Sequence, residues 1–174
     1  MAGFFLYPVV HIWYVEVPVQ RCGSPAMRLL LKRIDQLNIG WNQRPLTEEH
    51  LFELCTRFDI TVVEMPLQTS GFYYRLMGRD FIAVDSRLFG PRRLFVLFHE
   101  FAHFLFHTSD TGPAVGFHGV GRRTRTELEA DVFALCAVLP RALIRARTVE
   151  DLVEQGFQRE LVFERFQLSR RYGI

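Results

Sequence analysis

Three residues near the middle of the chain have the types and spacing for hydrolytic chemistry: His99, Glu100 and His103, in the order His-Glu-Phe-Ala-His. They sit inside an apolar run from Leu94 to His107. On a helix, residues four apart share a face about 6 Å apart along the axis. His99 and His103 can therefore turn two imidazole nitrogens toward one zinc ion. Glu100 falls on the adjacent flank, where it can hold and deprotonate a water activated by that ion. Burying two His and a Glu in an apolar helix is costly without such a partner, which weighs against a plain core helix.

A catalytic zinc takes three protein ligands and keeps a position for water. The third candidate is Glu127, in the order Glu-x-x-Ala-Asp. Glu127 and Asp131 are four apart and share a helical face. Glu127 can then reach the metal while Asp131 accepts a hydrogen bond from the far nitrogen of a liganding His. Glu129, two residues off and directed elsewhere, is the alternative ligand. His107 also competes, but Phe104-Leu105-Phe106 contains no glycine bend to bring a third His of the same helix to one ion. It is expected beside the site or at the helix end, where a cationic ring suits the dipole. His118, Tyr73, Tyr74 and Arg122 are all candidates for a transition-state donor, and the sequence does not choose among them.

Several elements must position these groups. A helix is expected over Ala26 to Leu37, and a second after Thr47, an N-cap followed by Glu48 and Glu49. Ile60 to Met65 reads as a strand closed by Pro66. Gly71 to Met77 and Asp80 to Val84 read as a hairpin around a Gly78-Arg79 turn, so a three-stranded antiparallel sheet is expected. Pro91 suits the first turn of the central helix, which should run from Arg92 to His107. Gly112, Pro113, Gly116, Gly119 and Gly121 mark a loop, and Arg122, Arg123 and Arg125 follow it as a basic cluster. Thr124 or Thr126 can cap the helix carrying Glu127, which runs to Pro140. Short helices from Ala142 and over Val149 to Gln155 precede a last one from Gln158 to Tyr172, closed by Gly173.

With 49% hydrophobic and 23% charged residues, the composition is that of a globular domain. The net charge of +2 is too small to argue for nucleic-acid or membrane binding. Cys22, Cys55 and Cys136 form no C-x-x-C pair, so no disulfide framework or cysteine zinc site is indicated. Reduced thiols fit a cytoplasmic protein. The apolar stretch from Met1 to Val19 lacks a basic start and is broken by Pro8, His11, Glu16 and Pro18, so it reads as an arm of residues 1–25 rather than an export signal.

Taken together, Ile82-Ala83-Val84-Asp85, Arg92-Arg93-Leu94-Phe95 ahead of the His-Glu-Phe-Ala-His motif, and Glu-x-x-Ala-Asp-x-Phe-Ala ending in Leu139-Pro140 resemble the ImmA/IrrE family of zinc metallopeptidases. The resemblance covers about residues 26–140, with a looser match in the tail of residues 141–174. It implies an α+β fold: a gluzincin-like (zincin-like) core with a small antiparallel sheet packed on the active-site helix, followed by a helical C-terminal part. It further implies a single Zn2+ and a regulatory protease acting on a separate helix-turn-helix repressor. A zinc-stabilised interaction module that cuts nothing, and an amidase acting on a small molecule, are the rival readings. An intact Glu100 argues against the first, since a structural site needs no base.

Overall fold

The computed structural model describes residues 25–108 and 124–174, with side chains from residue 30 onward. The N-terminal arm, Cys22, the glycine-rich loop with His118, and Arg122 and Arg123 lie outside the described residues. The elements run α1 (Pro25–Asp35), α2 (Glu48–Arg57), β1 (Ile60–Met65), β2 (Gly71–Leu76), β3 (Arg79–Asp85), α3 (Gly90–His107), α4 (Arg125–Val138), α5 (Arg141–Ala146), α6 (Val149–Glu154) and α7 (Arg159–Tyr172). The class is α+β, with one small sheet and a helical C-terminal part.

The sheet departs from the expected antiparallel arrangement. Its order is β1-β3-β2, with β1 parallel and β2 antiparallel to β3. The physical reason is burial. β3 carries the continuous apolar run Phe81-Ile82-Ala83-Val84, the last three fully buried, and a run of that kind suits the central strand. Residues 66–70 then carry the chain from β1 across the end of β3 to the far edge. That crossing is fastened by Ser86 N donating to Met65 O and Asp85 N to Ser70 O, each at 3.0 Å. The Asp85 carboxylate holds the Arg87 guanidinium, which also donates to Leu67 O.

The hairpin turn is also displaced by one residue, to Met77-Gly78. Leu76 pairs with Arg79, and both turn residues have positive φ, 50° and 78°. A two-residue turn of this kind needs left-handed backbone at both positions, and glycine fits at the second.

α3 lies against the sheet on one side and against α4 on the other. Phe101 packs among Phe58, Phe104 and Phe133, with ring centroids 5.9–6.1 Å apart. Arg93 ties the start of α3 to Glu48 of α2 and Glu64 of β1, at 2.9 and 3.0 Å. From Ala130 onward α4 is buried throughout and, apart from Asp131, apolar on all sides, as a helix enclosed by its neighbours must be. The α1–α2 connector covers it: the Trp41 ring stacks on Phe133 and its Nε1 donates to Phe133 O at 2.9 Å. From the other side α7 inserts the fully buried Arg165, whose Nε donates to Leu139 O and Nη2 to Asn42 Oδ1. Ile144, Leu152 and Val162 of the C-terminal helices belong to the same apolar core as α3 and α4.

Candidate metal centre

The metal-type side chains come from the contact between α3 and α4. His99 and His103 project from one face of α3, as i,i+4 spacing requires, and their Nε2 atoms stand 3.0 Å apart. Thr124 caps α4, its hydroxyl accepting from Glu127 N at 3.3 Å, which places Glu127 in the first helical turn. Its two oxygens lie 3.4 Å from His99 Nε2 and 3.2 Å from His103 Nε2. These three residues are the one group among the described residues whose donor atoms converge as metal ligands would.

The donor set fits zinc. Ligands at about 2.0–2.2 Å around a tetrahedral ion stand roughly 3.3–3.6 Å from one another, close to the separations between these atoms. The electrostatics agree. His99 Nδ1 lies 2.9 Å from Asp131 Oδ1, which turns its Nε2 toward His103 and Glu127. Burial works against a charge on the His99 ring, yet the Asp131 and Glu127 carboxylates outweigh it and hold the pKa up at about 10. The centre favours positive charge.

Glu100 sits beside this group, 8% exposed. Burial pushes its pKa up to about 7, against the opposing pull of His99 and of the Tyr73 N–H. That N–H, from β2, donates to Glu100 Oε2 at 2.8 Å. The approach is possible because β2 begins with Gly71. A Cβ there would stand 2.8 Å from Val96 Cγ1, 2.9 Å from Ala83 O and 3.4 Å from Glu100 Cγ. Sequence reasoning passed over Gly71; a glycine opening a strand-like run is the available signal of close backbone approach.

The remaining candidates fall elsewhere. His107 Nδ1 lies 3.1 Å from His103 Nδ1, and His107 Nε2 3.2 Å from Glu129 Oε2. Glu129 thus meets His107 and stands apart from the converging donors. Arg125, weighed with the basic cluster, pairs with Glu129 at 2.8 Å. The Tyr73 hydroxyl is committed to Asp80 Oδ1 at 2.6 Å, and Arg75 grips the same carboxylate at 2.8 and 3.0 Å. Tyr74 alternates to the opposite sheet face and stacks on Phe81 with centroids 4.9 Å apart. Neither tyrosine side chain is brought to the centre as a donor.

Residues 55–174 match the family model Peptidase_M78, the IrrE N-terminal-like domain. The chain belongs to this family. The match takes in both motif helices and continues through α7, beyond Pro140. No protein of curated function matches the chain. Membership in Peptidase_M78 carries a metallopeptidase-type activity, and the His99, His103 and Glu127 group is a metal-binding arrangement of the kind such a peptidase uses. Among the described residues of this Peptidase_M78 member, no helix is long and apolar enough to cross a membrane.

Proposed function

We propose that the protein is a zinc-dependent endopeptidase that cuts a protein substrate, with a separate helix-turn-helix repressor as its target. The observation that carries the reading is the convergence of His99, His103 and Glu127 beside a buried carboxylate, Glu100, whose pKa is near neutrality. When bound by His99, His103 and Glu127, zinc supplies Lewis acidity that eases deprotonation of water and polarises a carbonyl. Three protein ligands suit a catalytic centre, whereas structural zinc sites close with four.

Glu100 does the proton work. Its Oε2 is held by the Tyr73 N–H, which leaves Oε1 to take a proton from the attacking water and return it to the leaving amide nitrogen. A base with a pKa of about 7 is matched to both transfers. Asp131 orients the His99 ring through Nδ1.

A polypeptide substrate is favoured by β2. It is an edge strand, and its Tyr73 N–H points at Glu100. An extended peptide laid along that edge would gain main-chain hydrogen bonds next to the base. The repressor target follows from the ImmA/IrrE resemblance, and the chain's small net charge favours protein over nucleic acid as the partner.

The test is incubation of the zinc-loaded protein with candidate repressors and with unstructured peptides, followed by mass spectrometry. Discrete fragments that vanish on chelation are expected. Intact substrates throughout, from protein that demonstrably binds zinc, would favour a non-cutting interaction module instead.

A further inference from the structure

We propose that Glu129 and Arg125 are positioning residues for His103, acting through His107. This rests on the reading of His103 as a zinc ligand. A His that offers Nε2 to a metal carries its proton on Nδ1, and the partner of that Nδ1–H sets the ring's orientation and basicity. His99 meets its partner directly, with Nδ1 2.9 Å from Asp131 Oδ1. His103 Nδ1 instead faces another ring nitrogen, His107 Nδ1, at 3.1 Å.

Two imidazole nitrogens bond at that distance only when one holds the proton and the other a lone pair. With the proton on His103 Nδ1, His107 must accept there and carry its own proton on Nε2. That atom faces Glu129 Oε2 at 3.2 Å. The other carboxylate oxygen, Glu129 Oε1, is gripped by Arg125 Nε at 2.8 Å, from one turn earlier on α4. Each contact therefore dictates the next, from Arg125 through Glu129 and His107 to the lone pair of His103 Nε2.

The link is partly shielded, with the His107 and Glu129 side chains 16% and 20% exposed. If Glu129 is lost, His107 is released to the other tautomer, whose Nδ1–H would oppose the Nδ1–H of His103. One helix, α4, then supplies a ligand in Glu127 and both carboxylate anchors of the two histidines, Asp131 and Glu129.

The test is zinc affinity by competition with a chromophoric chelator, together with the visible spectrum of the cobalt-substituted protein. Glu129→Ala is expected to weaken zinc binding about 10- to 100-fold and to shift the cobalt bands. Glu129→Gln keeps an acceptor oxygen for His107 Nε2–H and is expected to fall between Ala and wild type. Wild-type affinity and spectrum in both variants would overturn the proposal, as would a Gln variant as impaired as Ala. Should Glu129→Ala fail to fold by circular dichroism, the near-isosteric Gln variant decides, with wild-type affinity again counting against the link. His103→Ala separates the two levels. If it binds zinc like wild type, the ligand assignment itself fails, and the positioning role with it.

Discussion

At the residue scale, one substitution separates the proposed role of Glu100 as base from its observed contact with the Tyr73 N–H. Glu100→Gln keeps the side chain's length and an oxygen for the Tyr73 N–H, but removes the base. Turnover should fall by about 10²- to 10⁴-fold, the usual worth of a positioned acid–base group, with zinc affinity unchanged in the same preparation. Wild-type turnover would remove Glu100 from the mechanism. Glu127→Ala should act the other way and abolish tight zinc binding, because it deletes a donor that lies within 3.4 Å of both histidine nitrogens. Retained zinc stoichiometry and affinity would return the third-ligand assignment to Glu129. The histidine pair was legible from the sequence because a four-residue interval has only one meaning on a helix. The acidic residues 127, 129 and 131 were less so. Spacing separates Glu129 from the other two, but it says nothing of which α3 side chain lies across from it, and it is His107, at the end of α3, that gives Glu129 a partner.

At the scale of elements, the centre depends on how closely β2 approaches α3. Gly71→Ala would press a methyl group into Val96 and the Ala83 carbonyl. The strand must move away, lengthening the Tyr73–Glu100 contact. Overpacking of this kind costs about 1–3 kcal/mol, and kcat should fall at least about tenfold, since small displacements of a positioned group are costly to catalysis. Equal kcat and melting temperature in Gly71→Ala would mean that the backbone yields without disturbing the base. The hairpin has its own pH signature. Burial alone would raise the Asp80 pKa, but the Arg75 guanidinium and the Tyr73 hydroxyl outweigh it and hold the carboxyl below its usual value. A depressed folded-state pKa contributes stability above the unfolded value of about 3.9, and that contribution is lost as pH falls through the folded value. Urea denaturation of wild type should therefore steepen its decline below about pH 4, and Asp80→Asn should lack that component. An identical acid slope in the variant would put the effect elsewhere. Element boundaries were readable from caps and breakers, Thr47, Pro66 and Pro91 among them. Strand direction was not, because the short β-branched run Ile60–Met65 signals extended structure and carries no information about which neighbour lies beside it.

For the molecule as a whole, the centre spans the seam between two layers. Its histidines belong to α3, which lies on the sheet, and its carboxylate belongs to α4, which is enclosed by the connector and the C-terminal helices. Arg165 and Trp41 lock those coverings to α4 through Leu139 O and Phe133 O. The C-terminal helices thus share the core that carries the site, and the family match likewise extends through them. A metal that binds only the folded chain stabilises it by mass action, about 2.7 kcal/mol at free zinc 100-fold above Kd. For a chain of this size each kcal/mol is worth about 2–4 °C, so zinc should raise the melting temperature by about 5–11 °C over chelated protein. Because both layers share one core, calorimetry should find a single transition that moves as a unit, and His103→Ala should abolish the response. Two transitions, with only one responding to zinc, would mean that the C-terminal helices unfold independently of the centre. A melting temperature indifferent to zinc occupancy would mean that the ion does not bridge α3 and α4 at all.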